Sequence, residues 1–235
     1  MTPALLAPDR LAEVMEATWP PAKAWREGPF LCRDGAGGGK RVSAASCEDA
    51  WTSADLDRLD AQGQGLMLIR ATDKALDAAL AERGWRIVDP VVAYAAPVAD
   101  LTADLPPLAA FAHWPPLEIA RAIWAEGGIG PARVSVMERV AGPHAAIMAR
   151  QGDRPAGAVF VARHGTDAML HALEVREGLR RNGVGETLLR AAANWAAGAG
   201  ATRLSLVVTA RNTAARALYT RLHMQAVGQY HYRMK

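Results

Sequence analysis

The chain has 235 residues, 51% hydrophobic and 22% charged, with a formal net charge of +3; this is ordinary for a soluble globular protein that buries a core, in one large domain or two small ones. The mild basic excess comes without a Lys/Arg run or basic–aromatic alternation, which argues against nucleic acid as a partner. The start "MTPALLAPDRLAEVMEATWPP" lacks the basic region of a signal peptide, "IVDPVVAYAAPVADL" is broken by Asp89, Pro90 and Pro97, and Cys32 and Cys47 lack metal-ligand or redox spacing, so the expected setting is the cytoplasm, with no membrane and no metal.

"ATWPPAKAW" (17–25) and "AHWPPLEIA" (112–120) share a Trp-Pro-Pro core and suggest two related blocks. In the first, "GPFLCRDGAGGGKRVSAAS" places two short strands around a glycine cluster. A short helix is expected over Asp55–Gln62, then the strand "GLMLIR", and a helix over Asp73–Arg83 that stops at Gly84. The apolar "WRIVDPVVAY" closes the block, and "APVADLTADLPPLAAF" reads as a linker.

The second block opens with a helix over Leu117–Ala125 ending at "EGGIGP". "ARVSVMERV", "AAIMARQ" and "AGAVFVARH" alternate or are apolar and read as consecutive antiparallel strands. "DAMLHALEV" is a further strand that runs through "REGLRRNGVG" into a helix whose Val184, Leu188, Ala191, Ala192 and Trp195 recur at helical spacing. "TRLSLVVTA" is a strand, Asn212–Leu222 a helix and "QAVGQYHYRM" a final strand. "LIRATDKALDAALAERGW" and "VVTARNTAARALYTRLHM" repeat one strand–turn–helix–strand order. The first block shows no counterpart of the strand and glycine turn at 168–185. The expected division is 1–103, an abbreviated copy, and 104–235, the intact unit.

The glycine turn is a candidate anion cradle. The first amides of a helix lack intrahelical partners and sit at the positive end of its dipole. Gly183 and Gly185 permit close approach, and Arg176, Arg180 and Arg181 add charge. A glycine-tightened turn with solvated arginines is the alternative. Neither this turn nor "GAGGGKR" (35–41) has P-loop spacing, and the latter reads as a plain loop. On a regular strand His171, Leu173 and Val175 share one face, and Leu170, Ala172 and Glu174 the other.

"LEVREGLRRNGVGETLL" resembles the acetyl-CoA motif of the GNAT superfamily of N-acetyltransferases, a strand valine followed by R/Q-x-x-G-x-G/A and a helix. "NTAARALYTRLHM" is similar to that family's N-x-x-A-x-x-L-Y-x-x-x-G-F segment, with His223-Met224 where Gly-Phe is usual. The likeness covers about 106–235 and implies an α/β (α+β) GNAT fold, with a central mixed, mostly antiparallel sheet flanked by helices and a truncated GNAT-like amino-terminal half.

The resemblance implies acetyl-CoA as cosubstrate and direct attack by an amine, without an acyl-enzyme. It implies a cofactor site at Leu173, Val175, Arg180, Arg181, Asn182, Gly183, Val184, Gly185 and Asn212. Tyr219 stands at the position of the family's general acid, with a core tyrosine as the bland alternative. His171 matches a member whose histidine at this place serves in a proton relay, with a buried structural histidine as the alternative and Glu174 as the second candidate base. Val207 stands where relatives acting on ribosomal-protein N-termini carry a glutamate, which counts against that role. The acceptor, a small-molecule or peptide amine, stays open, as does the choice between monomer and homodimer. Trp19, Trp25 and Trp51 are candidate pocket residues of the first block. A non-catalytic acyl-CoA-binding module, or a nucleotide-phosphate binder using the turn, are the rival readings.

Overall fold

A computed structural model describes residues 6–235; the first five residues of the opening segment lie outside it. The chain runs α1 (Pro8–Thr18), β1 (Lys23–Glu27), β2 (Phe30–Asp34), β3 (Ala45–Cys47), α2 (Ser53–Ala61), β4 (Leu66–Arg70), α3 (Lys74–Glu82), β5 (Arg86–Pro97) and α4 (Val98–Leu101). It continues β6 (Ala110–His113), α5 (Glu118–Glu126), α6 (Pro131–Glu138), β7 (His144–Gln151), β8 (Arg154–His164), β9 (Asp167–Val175), α7 (Val184–Gly198), β10 (Arg203–Thr209), α8 (Thr213–Arg221) and β11 (Gln225–Met234). No described helix is long and apolar enough to cross a membrane.

All strands join one eleven-stranded sheet in the order β1-β2-β3-β4-β11-β5-β10-β9-β8-β7-β6. Pairing is antiparallel except for β3 with β4 and β9 with β10. Each block gives its last strand to the other. β11 lies between β4 and β5, and β5 lies between β11 and β10. Residue 103 falls in the connection between α4 and β6, yet the sheet runs through both blocks. The cores follow the sheet: Tyr94, Ala96, Val98 and Leu101 are buried with Leu204, Leu206 and Tyr219. Leu188, Leu189, Ala192 and Ala193 of α7 cover one face at Val159, Val161 and Leu170. Ile123 and Trp124 of α5 and Met137 of α6 cover the other at Ala158 and Phe160.

Several expectations are corrected. "ARVSVMERV" is α6, not a strand: Pro131 sits at its first position, and Val134, Val136 and Met137 are all buried, which no single strand face allows. α1 adds a helix at the start of the first block: Pro8 opens it, and Leu11, Val14 and Thr18 form a buried stripe. The linker segment holds the end of β5, α4 and the start of β6. The two Trp-Pro-Pro segments have unlike settings, Trp19 at the end of α1 and Trp114 before α5. The first block does hold a strand and crossover helix in the place of β9 and α7. β3 pairs in parallel with β4, and α2 connects them.

The two strand–helix–strand repeats are β4-α3-β5 and β10-α8-β11. Each helix ends on a left-handed residue, Gly84 at φ +81° and His223 at φ +58°. Glycine adopts that conformation without the Cβ clash. His223→Gly is expected to stabilise the protein by about 0.5–1 kcal/mol, read as a raised urea midpoint at constant slope; an unchanged or lower midpoint contradicts the repeat-based account of this cap.

Candidate active site

The turn after β9 leaves a helix end open. Gly183 (φ +81°) precedes α7, no side chain caps it, and the first intrahelical bond is Thr187 N–H to Gly183 O at 3.0 Å. The amides of Val184, Gly185 and Glu186 therefore stand before that bond with the positive end of the dipole behind them. A Cβ on Gly185 would meet Leu218 Cδ2 at 3.3 Å, so a side chain here crowds α8. The arginines are not equally free. Arg176 is spent on Glu126 at 2.9 and 3.0 Å. Arg180 donates to the Val175 carbonyl at 3.0 Å and to Glu174 at 3.1 Å. Arg181, exposed at φ +65°, forms no ion pair among the described residues.

The strand before the turn is bulged. Ala172 takes φ +52°, and the β8–β9 register passes from Phe160↔His171 to Ala158↔Glu174 with one extra residue on β9. The buried indole of Trp124 donates to the Ala172 carbonyl at 2.8 Å and holds the kink. The parallel β9–β10 pairing ends at Leu170↔Leu206. Beyond it the two strands run on unpaired, and the backbone of 171–175 toward β10 has no ladder. The bulge also overturns the expected face assignment. Leu170, Leu173 and Val175 pack on the α7 side, whereas His171 and Ala172 pack on the Trp19–Phe160 side. Glu174 lies against Gly127 after α5, where an added Cβ would meet its carboxylate at 2.4 Å.

These features converge on a cleft of about 730 Å³. It gathers Leu173, Val175, Arg180, Arg181, Gly183, Gly185 and Asn212, with Glu174 and Tyr219. Of the other expected cofactor residues, Val184 turns its side chain into the core and Asn182 is exposed outside the lining. Asn212 caps α8, its Oδ1 accepting from Ala215 N–H at 3.1 Å, and so positions Tyr219. Tyr219 is almost wholly buried beside Tyr94, with ring centroids 5.6 Å apart, and its hydroxyl has no protein hydrogen bond among the described residues. Burial and the neighbouring phenol push its pKa up to about 12, so it stays protonated.

His171 lies outside this cleft, in a second pocket of about 310 Å³ on the opposite face. Val14 O receives the Thr18 hydroxyl proton at 2.6 Å, so Thr18 Oγ1 accepts from His171 Nε2 at 2.9 Å. Arg41 Nη1 donates to His171 Nδ1 at 3.0 Å. Both ring nitrogens are engaged, and the ring stacks on Trp19 at 4.9 Å. Burial, then the Arg41 charge, hold its pKa well below the usual value of 6.5. The imidazole is neutral, with no lone pair left for a proton relay. Val207, Tyr230, Tyr232 and the "GAGGGKR" residues Gly38 to Arg41 line the same pocket, so that loop forms one wall of it. Of the three candidate tryptophans only Trp19 lines it; Trp25 is exposed on β1, and Trp51 lines a separate small pocket in the first block.

That small pocket, beside β3, shows why the first block differs. Glu48, Asp49 and Asp73 line it, and Arg70 reaches across from β4 to the Cys47 carbonyl at 2.9 Å and to Glu48 at 2.6 Å. At the start of α2 the Asp55 carboxylate accepts from Thr52 N–H at 2.8 Å. Where α7 begins uncapped, α2 begins under an acidic cap.

Comparisons with known proteins agree with this geometry. Residues 111–224 match the model of the acetyltransferase (GNAT) family. No curated protein matches the chain. Among solved structures, it is similar to a GCN5-related N-acetyltransferase from Kribbella flavida, at 17% identity and TM-score 0.71 over 96% of this chain and 94% of that one. It is similar to a functionally unknown conserved protein from Staphylococcus epidermidis, at 12% identity and TM-score 0.68 over 96% and 98%. A tandem GNAT protein from the clavulanic acid biosynthesis pathway matches at 13% identity and TM-score 0.62 over 100% and 90%. At these identities the likeness is one of fold, and it spans both blocks.

The His171 arrangement has a thermodynamic signature. Its folded pKa lies below 6.5, so below that pH the unfolded chain takes up a proton that the folded chain refuses. Stability is full above about pH 6.5 and falls as pH drops through it, by up to about 1.4 kcal/mol per pH unit for one such group. His171→Gln is expected to flatten this slope between about pH 7 and pH 5 in urea unfolding; an equal slope in both proteins contradicts a histidine held neutral.

Proposed function

Because residues 111–224 match the model of the GNAT acetyltransferase family, we propose that this chain is an acetyl-CoA-dependent N-acetyltransferase acting on a primary amine by direct attack. The observation that carries the reading is the convergence, in one cleft, of an uncapped helix end, an unpaired strand edge and a protonated phenol. The open α7 amides with Arg181 and Arg180 suit a pyrophosphate, and the β9 edge beyond Leu170, which has no β10 ladder, suits an amide-bearing arm once Arg180 turns from the Val175 carbonyl to the phosphates. When bound, acetyl-CoA supplies the activated acetyl thioester.

We assign the proton donor to Tyr219. Its hydroxyl is desolvated, protonated and without a hydrogen-bond partner among the described residues, the state in which a phenol can hand a proton to a leaving thiolate. We assign the base to Glu174, directly or through water, in preference to His171. Glu174 lines the cleft and bonds Arg180 and the Val175 N–H through Oε1 alone, whereas His171 has both nitrogens engaged in the other pocket. Neither cysteine lines the cleft, and burial raises both thiols, which supports direct attack over an acyl-enzyme. The second pocket meets β9 at His171 and Ala172, next to Leu173 of the cleft. The gap below Leu170↔Leu206 joins them, so we place the acceptor there, with the first block as its wall.

Tyr219→Phe is expected to lower kcat about 10²–10⁴-fold with little change in acetyl-CoA affinity. Binding of acetyl-CoA with no CoA release on any amine, and no effect of Tyr219→Phe, would instead identify a non-catalytic acyl-CoA-binding module. Arg180→Glu sets a second carboxylate beside Glu174 at the turn and is expected to raise the acetyl-CoA Kd at least about tenfold. An unchanged Kd by calorimetry rules the turn out as the pyrophosphate site.

A further inference from the structure

We propose that the second pocket selects acceptor amines carrying an anionic group, with Arg41 as its principal partner; the acceptor role rests on the acetyltransferase reading above. The pocket has a cationic lining. Lys40 is tied to Asp89 at 2.8 Å, which removes one charge of each sign. Arg41 and Arg133 remain, and neither forms an ion pair among the described residues.

Arg41 is the better built of the two. It is half-buried, lies over the Trp19 ring at 5.9 Å, and has a buried Nε without a hydrogen-bond partner among the described residues. Its one close histidine is neutral and cannot offset its charge. Instead, Val14 O, Thr18 and His171 form a relay of hydrogen bonds that ends on Arg41 Nη1 and holds the guanidinium in place. A partly desolvated cation without an ion-pair partner costs free energy unless an anion meets it. An anionic group on the acceptor completes the site with a charge-assisted, directional contact.

The rest of the pocket limits the acceptor further. Its volume of about 310 Å³ is at the small end for small-molecule sites. Trp19, Val91, Ile129 and Val207 give it apolar walls. The class that fits is a compact amine with one anionic group and an apolar substituent, of which an amino acid with an apolar side chain is the simplest form.

The test uses the full chain and matched pairs differing only in the anion: phenylalanine against phenethylamine, leucine against isoamylamine, and phosphoethanolamine against ethanolamine. Calorimetry without acetyl-CoA reads binding, and CoA release reads turnover. The anionic member of at least one pair is expected to be favoured about 10–100-fold, and the pair that responds tells carboxylate from phosphate. Arg41→Gln should erase the preference, and Arg41→Lys should keep part of it. Arg133→Gln, on the exposed rim, should reduce it even if Arg41→Gln does not fold. An anion preference in binding without CoA release on any amine would uphold the pocket and overturn the transferase reading. CoA release on neutral amines with no preference in any pair would uphold the transferase and overturn this inference.

Discussion

The structure depends on one hydrogen bond, from the Trp124 indole to the carbonyl of Ala172 at 2.8 Å. A non-glycine residue at φ +52° costs on the order of 1–3 kcal/mol, and a buried indole needs an acceptor. Each requirement answers the other. The β9–β10 ladder ends after Leu170↔Leu206, beside the kink, and leaves a gap between these two strands. The kink sends Leu173 and Val175 to one face, and His171 and Ala172 to the other. The donor and acceptor roles proposed for the cleft and the second pocket require such a gap, since the two lie on opposite faces.

The two blocks show how one scaffold is opened in one copy and sealed in the other. Both hold a parallel strand pair bridged by a helix. At α7 the helix end is bare, glycine-flanked and basic. At α2 it is capped by Asp55 and surrounded by Glu48 and Asp49, and Arg70 fastens the strands together. Each of these carboxylates is paired with an arginine, Asp55 with Arg58, Asp49 with Arg26 and Glu48 with Arg70, so this end is closed by its own side chains. The sealed block still serves the site. It supplies Trp19, Lys40 and Arg41 to the second pocket, and the exchange of β5 and β11 makes the two blocks inseparable in the sheet.

Much of this was legible in the sequence because it is local. The "RRNGVG" turn announces an open helix end, and the "NTAARALY" helix carries both its cap and the phenol, within single elements. What the sequence hid depends on distant partners. Period-2 alternation put His171 with Leu173, and nothing near Ala172 signals a bulge, since the group that holds it, Trp124, lies 48 residues away. "GAGGGKR" looked like a bare loop because its partner, His171, lies 130 residues on from Arg41. "ARVSVMERV" failed for another reason: a chance alternation outweighed Pro131, a direct signal for a helix start.

Amide hydrogen exchange of the full chain with and without acetyl-CoA tests the account most directly. The unpaired β9 edge and the open α7 end should be the segments that acetyl-CoA covers. Exchange should slow at 173–175 and 183–187 and stay unchanged at 47–55 around β3 and the start of α2. Protection at 47–55, or none along β9 at saturating acetyl-CoA, would contradict the assignment of the gap beside Ala172 as the place where the acyl donor lies.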